Sequence, residues 1–129
     1  MARILLTEDD ESVRAFVKRA LELDGHEIIE AEDGGIALEI LTARQGNFDL
    51  LLSDIMMPVL DGIGLALAVA RDFPNLAILL MTGFADQRER AFGLDALVSD
   101  VVSKPFTLAE IRTAVARALP GASAEEKIA

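Results

Sequence analysis

Carboxylates, a hydroxyl and a lysine follow the apolar segments of this chain, and together these residue types could hold a metal ion and a phosphate. Asp54 follows the mostly apolar run 50–53, and a short run of this kind is typical of a strand buried on both faces. Pro58 and the pair Asp61-Gly62 predict a turn directly afterwards. Asp54 is therefore expected at the carboxyl end of a buried strand, where it could bind a metal, take part in chemistry or simply cap the next helix.

The other apolar runs also end in polar side chains, with Glu8 and Asp9 after residues 4–6, Thr82 after residues 76–81 and Lys104 after residues 101–103. In a parallel sheet, ligands bind outside the carboxyl ends of the strands, where the strand order reverses. With the order 2-1-3-4-5, the carboxylates of Glu8, Asp9 and Asp54 flank that point. Thr82 and Lys104 then lie beside them. Taken alone, the acidic run 8–11 could instead be an exposed helix start, because carboxylates suit the positive end of a helix dipole.

Strand and helix patterns alternate along the chain, which predicts an α/β fold with a parallel five-stranded sheet and helices on both faces. The first helix is predicted to bury a stripe at helical spacing, formed by Val13, Phe16, Val17, Ala20 and Leu21. Later helices are predicted over residues 36–44, 63–71, 86–92 and 107–119, the last with a capping box from Thr107 and Glu110. The third helix is apolar almost all round, so either Leu65 or Leu67 is expected to face outward.

The composition limits the possible functions. A chain of 129 residues with 52% hydrophobic residues is expected to form one ordered domain. Its net charge of -10 would repel a nucleic-acid backbone, so direct DNA binding is not expected. We expect no signal peptide and no membrane span, and the absence of cysteine fits a cytoplasmic protein.

The carboxylates also predict which cation the site would take. Three acids in one crevice would raise each other's pKa values unless a cation lay among them. The chain has no cysteine, and its one histidine, His26, is expected in a turn far from the acids. All ligands would therefore be oxygen atoms, which favours Mg²⁺ where a phosphate supplies a further ligand. Lys104 could neutralise that phosphate and the Thr82 hydroxyl could donate to it. No P-loop or dinucleotide signature accompanies them.

These residues also resemble a known signature. Their set and spacing are similar to those of response-regulator receiver domains, the flavodoxin-like (βα)5 modules of two-component signalling. The resemblance rests on Glu8-Asp9, Asp54-x-x-x-Pro58-x-x-Asp61-Gly62, Thr82-Gly83 and Lys104-Pro105-Phe106. It covers about residues 3 to 119, which implies a receiver domain over residues 1–119 and a short flexible tail over 120–129.

The resemblance implies a role for each matching residue. Asp54 would be the phosphoacceptor, attacking a phosphohistidine or a small acyl phosphate to give an aspartyl phosphate. Mg²⁺ would be bound by Asp9 and Asp54, by the backbone carbonyl of Met56, and by Glu8 mainly through water. The phosphoryl group would then be contacted by Thr82 and Lys104, with Pro105 following a cis peptide bond.

One position departs from the family pattern. Receiver domains usually have Tyr or Phe three residues before the lysine, whereas this chain has Val101. The usual coupling between the threonine and that aromatic side chain is therefore in doubt. Our hypothesis is that movement of Thr82 is read by the loop carrying Phe84 and by the helix after it. The family's usual contact face would here include Arg88, Arg90, Val101 and Arg112.

The resemblance implies a stand-alone receiver without an output domain, which is not an enzyme beyond catalysing its own phosphorylation and dephosphorylation. Its partners would be a histidine kinase or histidine phosphotransferase and a downstream protein. The overall look is similar to CpdR-type regulators, which work with the ClpXP protease, so a protease unfoldase or its substrates are candidate partners. A phosphorelay intermediate, a motility-type regulator and a weak dimer remain open alternatives.

Two other classes fit the residues less well. A Mg²⁺-dependent aspartyl-phosphate phosphatase would need a second acid two residues after the nucleophile, where Met56 stands, and a cap domain for which there is no space. A flavin-binding electron carrier would need a phosphate-binding loop and a Trp or Tyr beside the flavin. The chain has neither aromatic residue.

Overall fold

The computed structural model describes residues 2–83 and 98–119. Its strands are β1 (Arg3–Thr7), β2 (Glu27–Ala31), β3 (Leu50–Asp54), β4 (Ala77–Thr82) and β5 (Asp100–Ser103). Its helices are α1 (Glu11–Glu22), α2 (Gly34–Ala43), α3 (Gly62–Asp72) and α4 (Leu108–Ala118). The helix predicted over 86–92 and the tail 120–129 lie outside the described residues, as do Phe84, predicted to read the movement of Thr82, and two predicted contact residues, Arg88 and Arg90.

The five strands form one parallel sheet in the order β2-β1-β3-β4-β5. The chain therefore reverses its direction of travel between β1 and β3, which lie side by side with Leu5 opposite Leu51. The predicted α/β architecture and strand order are confirmed. The reversal leaves a crevice at the carboxyl ends of β1 and β3, the place where sheets of this kind bind ligands.

Alternate residues of the central strands supply two separate cores. All five residues of β3 are buried. Leu51 belongs to a cluster with residues of α2 and α3, whereas Leu52 belongs to a second cluster with residues of α1 and α4. Because successive side chains of a strand point to opposite faces, helices cover both sides of the sheet. The apolar run in the sequence follows from this double coverage.

Side-chain caps fix where the helices begin. Asp10, Asp33, Asp61 and Thr107 are the N-caps of α1, α2, α3 and α4. The predicted capping box of Thr107 with Glu110 is present. The α2 helix begins at Gly34, two residues before the predicted start, because the Asp33 side chain accepts a hydrogen bond from the Ile36 amide at 2.8 Å.

Two expectations about helix faces have different outcomes. Phe16 was expected in the buried stripe of α1, but this side chain is 42% exposed and its ring lies 6.4 Å from that of Phe106. That expectation is wrong, because Phe16 contacts the segment before α4 at the rim of the core. In α3, Leu67 faces outward and Leu65 is fully buried, which resolves the alternative left open by the sequence. None of the helices in the described ranges is long and apolar enough to cross a membrane.

Candidate metal and phosphoryl site

Asp54 is the last residue of β3 and lies at the crevice. Its backbone pairs with Met81 of β4, and the residue is only 6% exposed. The helix that follows is capped by Asp61, whose carboxylate accepts a hydrogen bond from the Gly64 amide at 2.8 Å. Asp54 is therefore not the cap of α3, so its carboxylate can take part in binding or chemistry at the crevice.

The acidic run after β1 divides between a site and a helix start. Asp10 caps α1 by accepting a hydrogen bond from the Val13 amide at 3.0 Å, and Glu11 lies in the first turn of α1. Glu8 is fully buried, whereas Asp9 is exposed. Glu8, Asp9 and Asp54 can each place one carboxylate oxygen within 4.8 Å of the other two. The helix-start interpretation therefore holds for Asp10 and Glu11, whereas Glu8 and Asp9 lie beside Asp54.

Lys104 brings a positive charge into the same crevice. Its Nζ lies 2.6 Å from Glu8 Oε1 and 3.0 Å from Asp54 Oδ1. The Lys104 backbone amide donates to the Thr82 carbonyl at 2.7 Å, which fixes the lysine beside the end of β4. The following peptide bond, Lys104–Pro105, is cis. One ammonium therefore joins two carboxylates at the carboxyl ends of different strands, β1 and β3.

Burial and neighbouring charges shift the pKa values of Glu8 and Lys104. The pKa of Glu8 is raised from 4.5 to about 7, first by burial and then by the nearby Asp54 carboxylate, while Lys104 opposes the shift. Burial alone would lower the pKa of Lys104, but hydrogen bonds with Glu8 and Asp54 outweigh it and raise that pKa. The ammonium is therefore held in its charged form, while Glu8 keeps its proton to a higher pH than an exposed glutamate would, and a nearby cation would favour its ionised form.

The donor set fits a hard cation. Within the described ranges, Glu8 Oε2 and Thr7 Oγ1 are buried oxygen atoms without a hydrogen-bond partner. A buried carboxylate oxygen without a partner is costly unless a cation or water satisfies it. Three carboxylates with no nitrogen or sulfur ligand match the preference of Mg²⁺. The residues present are therefore suited to a magnesium ion.

The remaining predicted site residues differ in burial and in the elements that carry them. Thr82 is buried at the end of β4, opposite Ser103 in the strand pairing. Met56 follows Asp54 by two residues and its side chain is exposed. Val101 is half-buried against the core cluster that includes Leu80. Thr82 and Met56 thus adjoin the crevice, while Val101 lies on β5 and packs on the core.

Arg112, predicted as part of a contact face, has a partner within the chain. Its guanidinium pairs with the Asp24 carboxylate just after α1, and this ion pair lowers the pKa of Asp24. Arg112 therefore also joins α4 to the end of α1.

Sequence reasoning missed one residue on which the geometry of Asp54 depends. A Cβ atom on Gly62 would lie 2.2 Å from the Asp54 carbonyl oxygen and 2.8 Å from the Ile55 Cα atom. The Gly62 amide also donates to the Ile55 carbonyl at 2.7 Å. The sequence identifies the pair Asp61-Gly62 as a turn former and as part of the family signature, but not as a close backbone contact of Asp54. The signal that this glycine supports close backbone approach is tertiary and cannot be seen in the local sequence.

The fold and the site together define a class of protein. A doubly wound parallel sheet in this order, with acids and a lysine gathered at its carboxyl edge, is a flavodoxin-like α/β domain with an acidic pocket. The family model of the response regulator receiver domain matches residues 4–116. The chain belongs to this family, whose members act in two-component signalling through histidine kinases and downstream targets.

Known proteins of similar sequence agree with this assignment. The chain is 40% identical over 111 residues to the response regulator receiver protein CpdR of Brucella abortus, covering 86% of this chain and 91% of that protein. It is 38% identical over 109 residues to the response regulator MprA of Mycobacterium ulcerans, covering 84% of this chain and 46% of MprA. The chain thus spans about half the length of that second relative.

Solved structures show the same fold. The chemotaxis response regulator CheY4 of Vibrio cholerae superimposes with a TM-score of 0.81 at 29% identity, covering 92% of this chain and 99% of CheY4. The response regulator TrrA of Thermotoga maritima, solved in complex with Mg²⁺-BeF, gives a TM-score of 0.81 at 30% identity, covering 92% of this chain and all of TrrA.

Proposed function

We propose that Asp54 accepts a phosphoryl group from a phosphohistidine or a small acyl phosphate. One observation carries this proposal: the Lys104 ammonium lies 3.0 Å from Asp54 Oδ1 and 2.6 Å from buried Glu8 in a crevice at the strand ends. An Asp54 oxygen attacks phosphorus, a new P–O bond forms, and the bond to the donor's nitrogen or oxygen breaks with its electron pair. The product is an aspartyl phosphate.

Two other side chains of the crevice are proposed to stabilise the negative charge of the phosphoryl group during this reaction. Lys104 holds a charged ammonium beside Asp54, where it can pair with phosphoryl oxygens as charge moves onto them. The Thr82 hydroxyl, at the neighbouring strand end, is proposed to donate to the phosphoryl group.

We propose that Mg²⁺ is the cofactor of this site. Asp9, Asp54 and the Met56 backbone carbonyl would hold it directly, and Glu8 mainly through water. When bound, Mg²⁺ supplies positive charge that offsets repulsion between the acidic crevice and an incoming phosphate. The support is the acidic group of Glu8, Asp9 and Asp54 and the similarity to TrrA, whose structure was solved with Mg²⁺-BeF.

We propose that the protein catalyses the phosphorylation and dephosphorylation of its own Asp54 and does not act as an enzyme on other substrates. The residue two positions after Asp54 is Met56, so the second acid of an aspartyl-phosphate phosphatase has no counterpart there.

We further propose that phosphorylation switches a contact with another protein, and that this contact controls regulated proteolysis. The observation that favours this output is the 40% identity with CpdR of Brucella abortus over 91% of that protein. A protease unfoldase or one of its substrates would then be the partner. A phosphorelay intermediate and a motility-type regulator are the alternatives.

A donor experiment tests the phosphoacceptor proposal. Incubation with acetyl phosphate or phosphoramidate and Mg²⁺ should add one phosphoryl group to the protein, measured by intact mass, and EDTA should abolish the addition. Asp54→Ala should remain unmodified, and Asp49→Ala, which changes an aspartate outside the crevice, should react like the parent. Failure of the parent protein to react with either donor would contradict the proposal.

The output can then be tested with the same variant. Affinity capture with unmodified protein, phosphorylated protein and Asp54→Ala should recover a common partner whose binding differs between the phosphorylated and unphosphorylated states. Equal capture in both states would exclude a phosphorylation-controlled contact with that partner.

A further inference from the structure

Arg14 lies outside the apolar stripe of α1, and its side chain reaches the backbone of Glu8 at the acidic crevice. Its Nη1 donates to the Glu8 backbone carbonyl at 2.7 Å. Its Nε lies 3.4 Å from Glu30 Oε1 on β2. The side chain is only 13% exposed. One guanidinium therefore joins α1, β2 and the backbone that leads out of β1.

The two peptide groups of Glu8 are consequently both held. The Glu8 amide donates to the Ala31 carbonyl of β2 at 3.1 Å, and the Glu8 carbonyl accepts from Arg14. That carbonyl belongs to the peptide that joins Glu8 to Asp9. Since Asp9 is exposed, we expect the position of its side chain to depend mainly on how this peptide is fixed.

We infer that Arg14 is a positioning residue that orients Glu8 and Asp9 for the cation, an inference that rests on the magnesium site proposed above. The guanidinium contacts the backbone of Glu8 rather than its carboxylate. Its planar fork reaches Glu8 O and Glu30 Oε1 from two different nitrogen atoms. A lysine ammonium is a point charge on a flexible stem and cannot reproduce this geometry.

A charge effect and a positioning effect of Arg14 would change the affinity for Mg²⁺ in opposite directions. Arg14 is a cation close to a proposed cation site, so by Coulomb repulsion alone its removal should tighten Mg²⁺ binding. If Arg14 acts by fixing the peptide between Glu8 and Asp9, its removal should weaken Mg²⁺ binding. The sign of the change therefore separates a positioning role from a simple charge effect.

Lys18 offers a matched control on the same helix. Its Nζ lies 3.4 Å from Glu30 Oε2, so Lys18 shares the carboxylate partner of Arg14. The contacts described for Lys18 do not include the Glu8 carbonyl. Lys18→Met removes one positive charge and one ion pair with Glu30, as Arg14→Met does, but leaves the peptide between Glu8 and Asp9 held.

The test is the dissociation constant for Mg²⁺, measured by isothermal titration calorimetry on the full chain. Arg14→Met should weaken binding by about tenfold, the lower end of what the loss of an outer-shell partner costs a metal site. Arg14→Lys keeps the charge and should weaken binding by roughly threefold, because a lysine ammonium cannot bind both partners as a fork does. Lys18→Met should leave the constant within about a factor of two of wild type.

Amide hydrogen exchange supplies a second measurement that needs no metal. Without Mg²⁺, Arg14→Met and Arg14→Lys should accelerate exchange of the Glu8 amide while the amides of β3 exchange as in wild type. Unchanged or tighter Mg²⁺ binding in both Arg14 variants would overturn the inference, as would an unchanged Glu8 amide. A wild-type protein that binds no Mg²⁺ would instead overturn the magnesium site, and the exchange data would still report whether Arg14 steadies the backbone at Glu8.

Discussion

Replacing Glu8 by glutamine should change how the stability of the protein depends on pH. Glu8 is fully buried and its pKa is raised from 4.5 to about 7, chiefly by burial. In the metal-free protein, the folded state therefore keeps a proton that the unfolded chain has already lost between these pH values. The free energy of unfolding consequently falls as the pH rises through this window.

The size of the effect follows from the shift. A rise in pKa from 4.5 to about 7 corresponds to roughly 3 kcal/mol of differential interaction. The resulting loss in the free energy of unfolding is absent below about pH 4.5, where Glu8 is protonated in both the folded and the unfolded state. The loss is complete above about pH 7, where Glu8 is ionised in both states. Glu8→Gln cannot ionise, so its stability relative to wild type should increase by roughly 3 kcal/mol across the window.

Urea unfolding followed by circular dichroism measures this difference, since the chain has no Trp or Tyr for fluorescence. The series should run with EDTA from about pH 4.5 to about pH 8, which spans both pKa values. Glu39→Gln is the control, because it makes the same substitution at an exposed side chain of α2. A difference between Glu8→Gln and wild type that stays flat with pH would refute the assignment of a buried, proton-holding carboxyl to this site.

Three further substitutions test separate parts of the site. Lys104→Met removes the cation 3.0 Å from Asp54 Oδ1. It should slow phosphorylation by acetyl phosphate by about a hundredfold, because the loss of one charge-stabilising donor costs that much. An unchanged rate would exclude a role for Lys104 in stabilising the phosphoryl charge. Gly62→Ala should destabilise the fold by about 1–3 kcal/mol in urea, because the added Cβ would lie 2.2 Å from the Asp54 carbonyl oxygen. Gly83→Ala, where a Cβ would meet no atom within 4 Å, is its control. Asp61→Ala removes the N-cap of α3 and should cost about 1 kcal/mol, while a cost near zero in urea would argue against that cap.

The sequence predicted the sheet and most of the site because both depend on local patterns and one rule of topology. The apolar run before Asp54 requires a strand covered on both faces, and the parallel order brings Glu8, Thr82 and Lys104 to the same edge. Residues far apart in the chain were thus placed together correctly. Lys104 and Glu8, 96 positions apart, form a hydrogen bond of 2.6 Å.

What the sequence could not predict depends on the direction of individual side chains. Consecutive acids look alike in a pattern, yet Glu8 is buried, Asp9 is exposed and Asp10 caps α1. Arg14 lies on the polar face of α1 by periodicity, but its long side chain bends back to the Glu8 carbonyl. Such contacts are set by where the chain turns after β1, which helical spacing does not specify.

The central claim is that Asp54 itself receives the phosphoryl group, and chemical mapping of the modified residue tests it most directly. The protein would be treated with acetyl phosphate and Mg²⁺, the acyl phosphate reduced with borohydride, and the resulting homoserine located by peptide mass spectrometry. The account predicts homoserine at position 54 and unmodified Glu8 and Asp9. Homoserine at another position, or none in a protein that binds Mg²⁺, would contradict it.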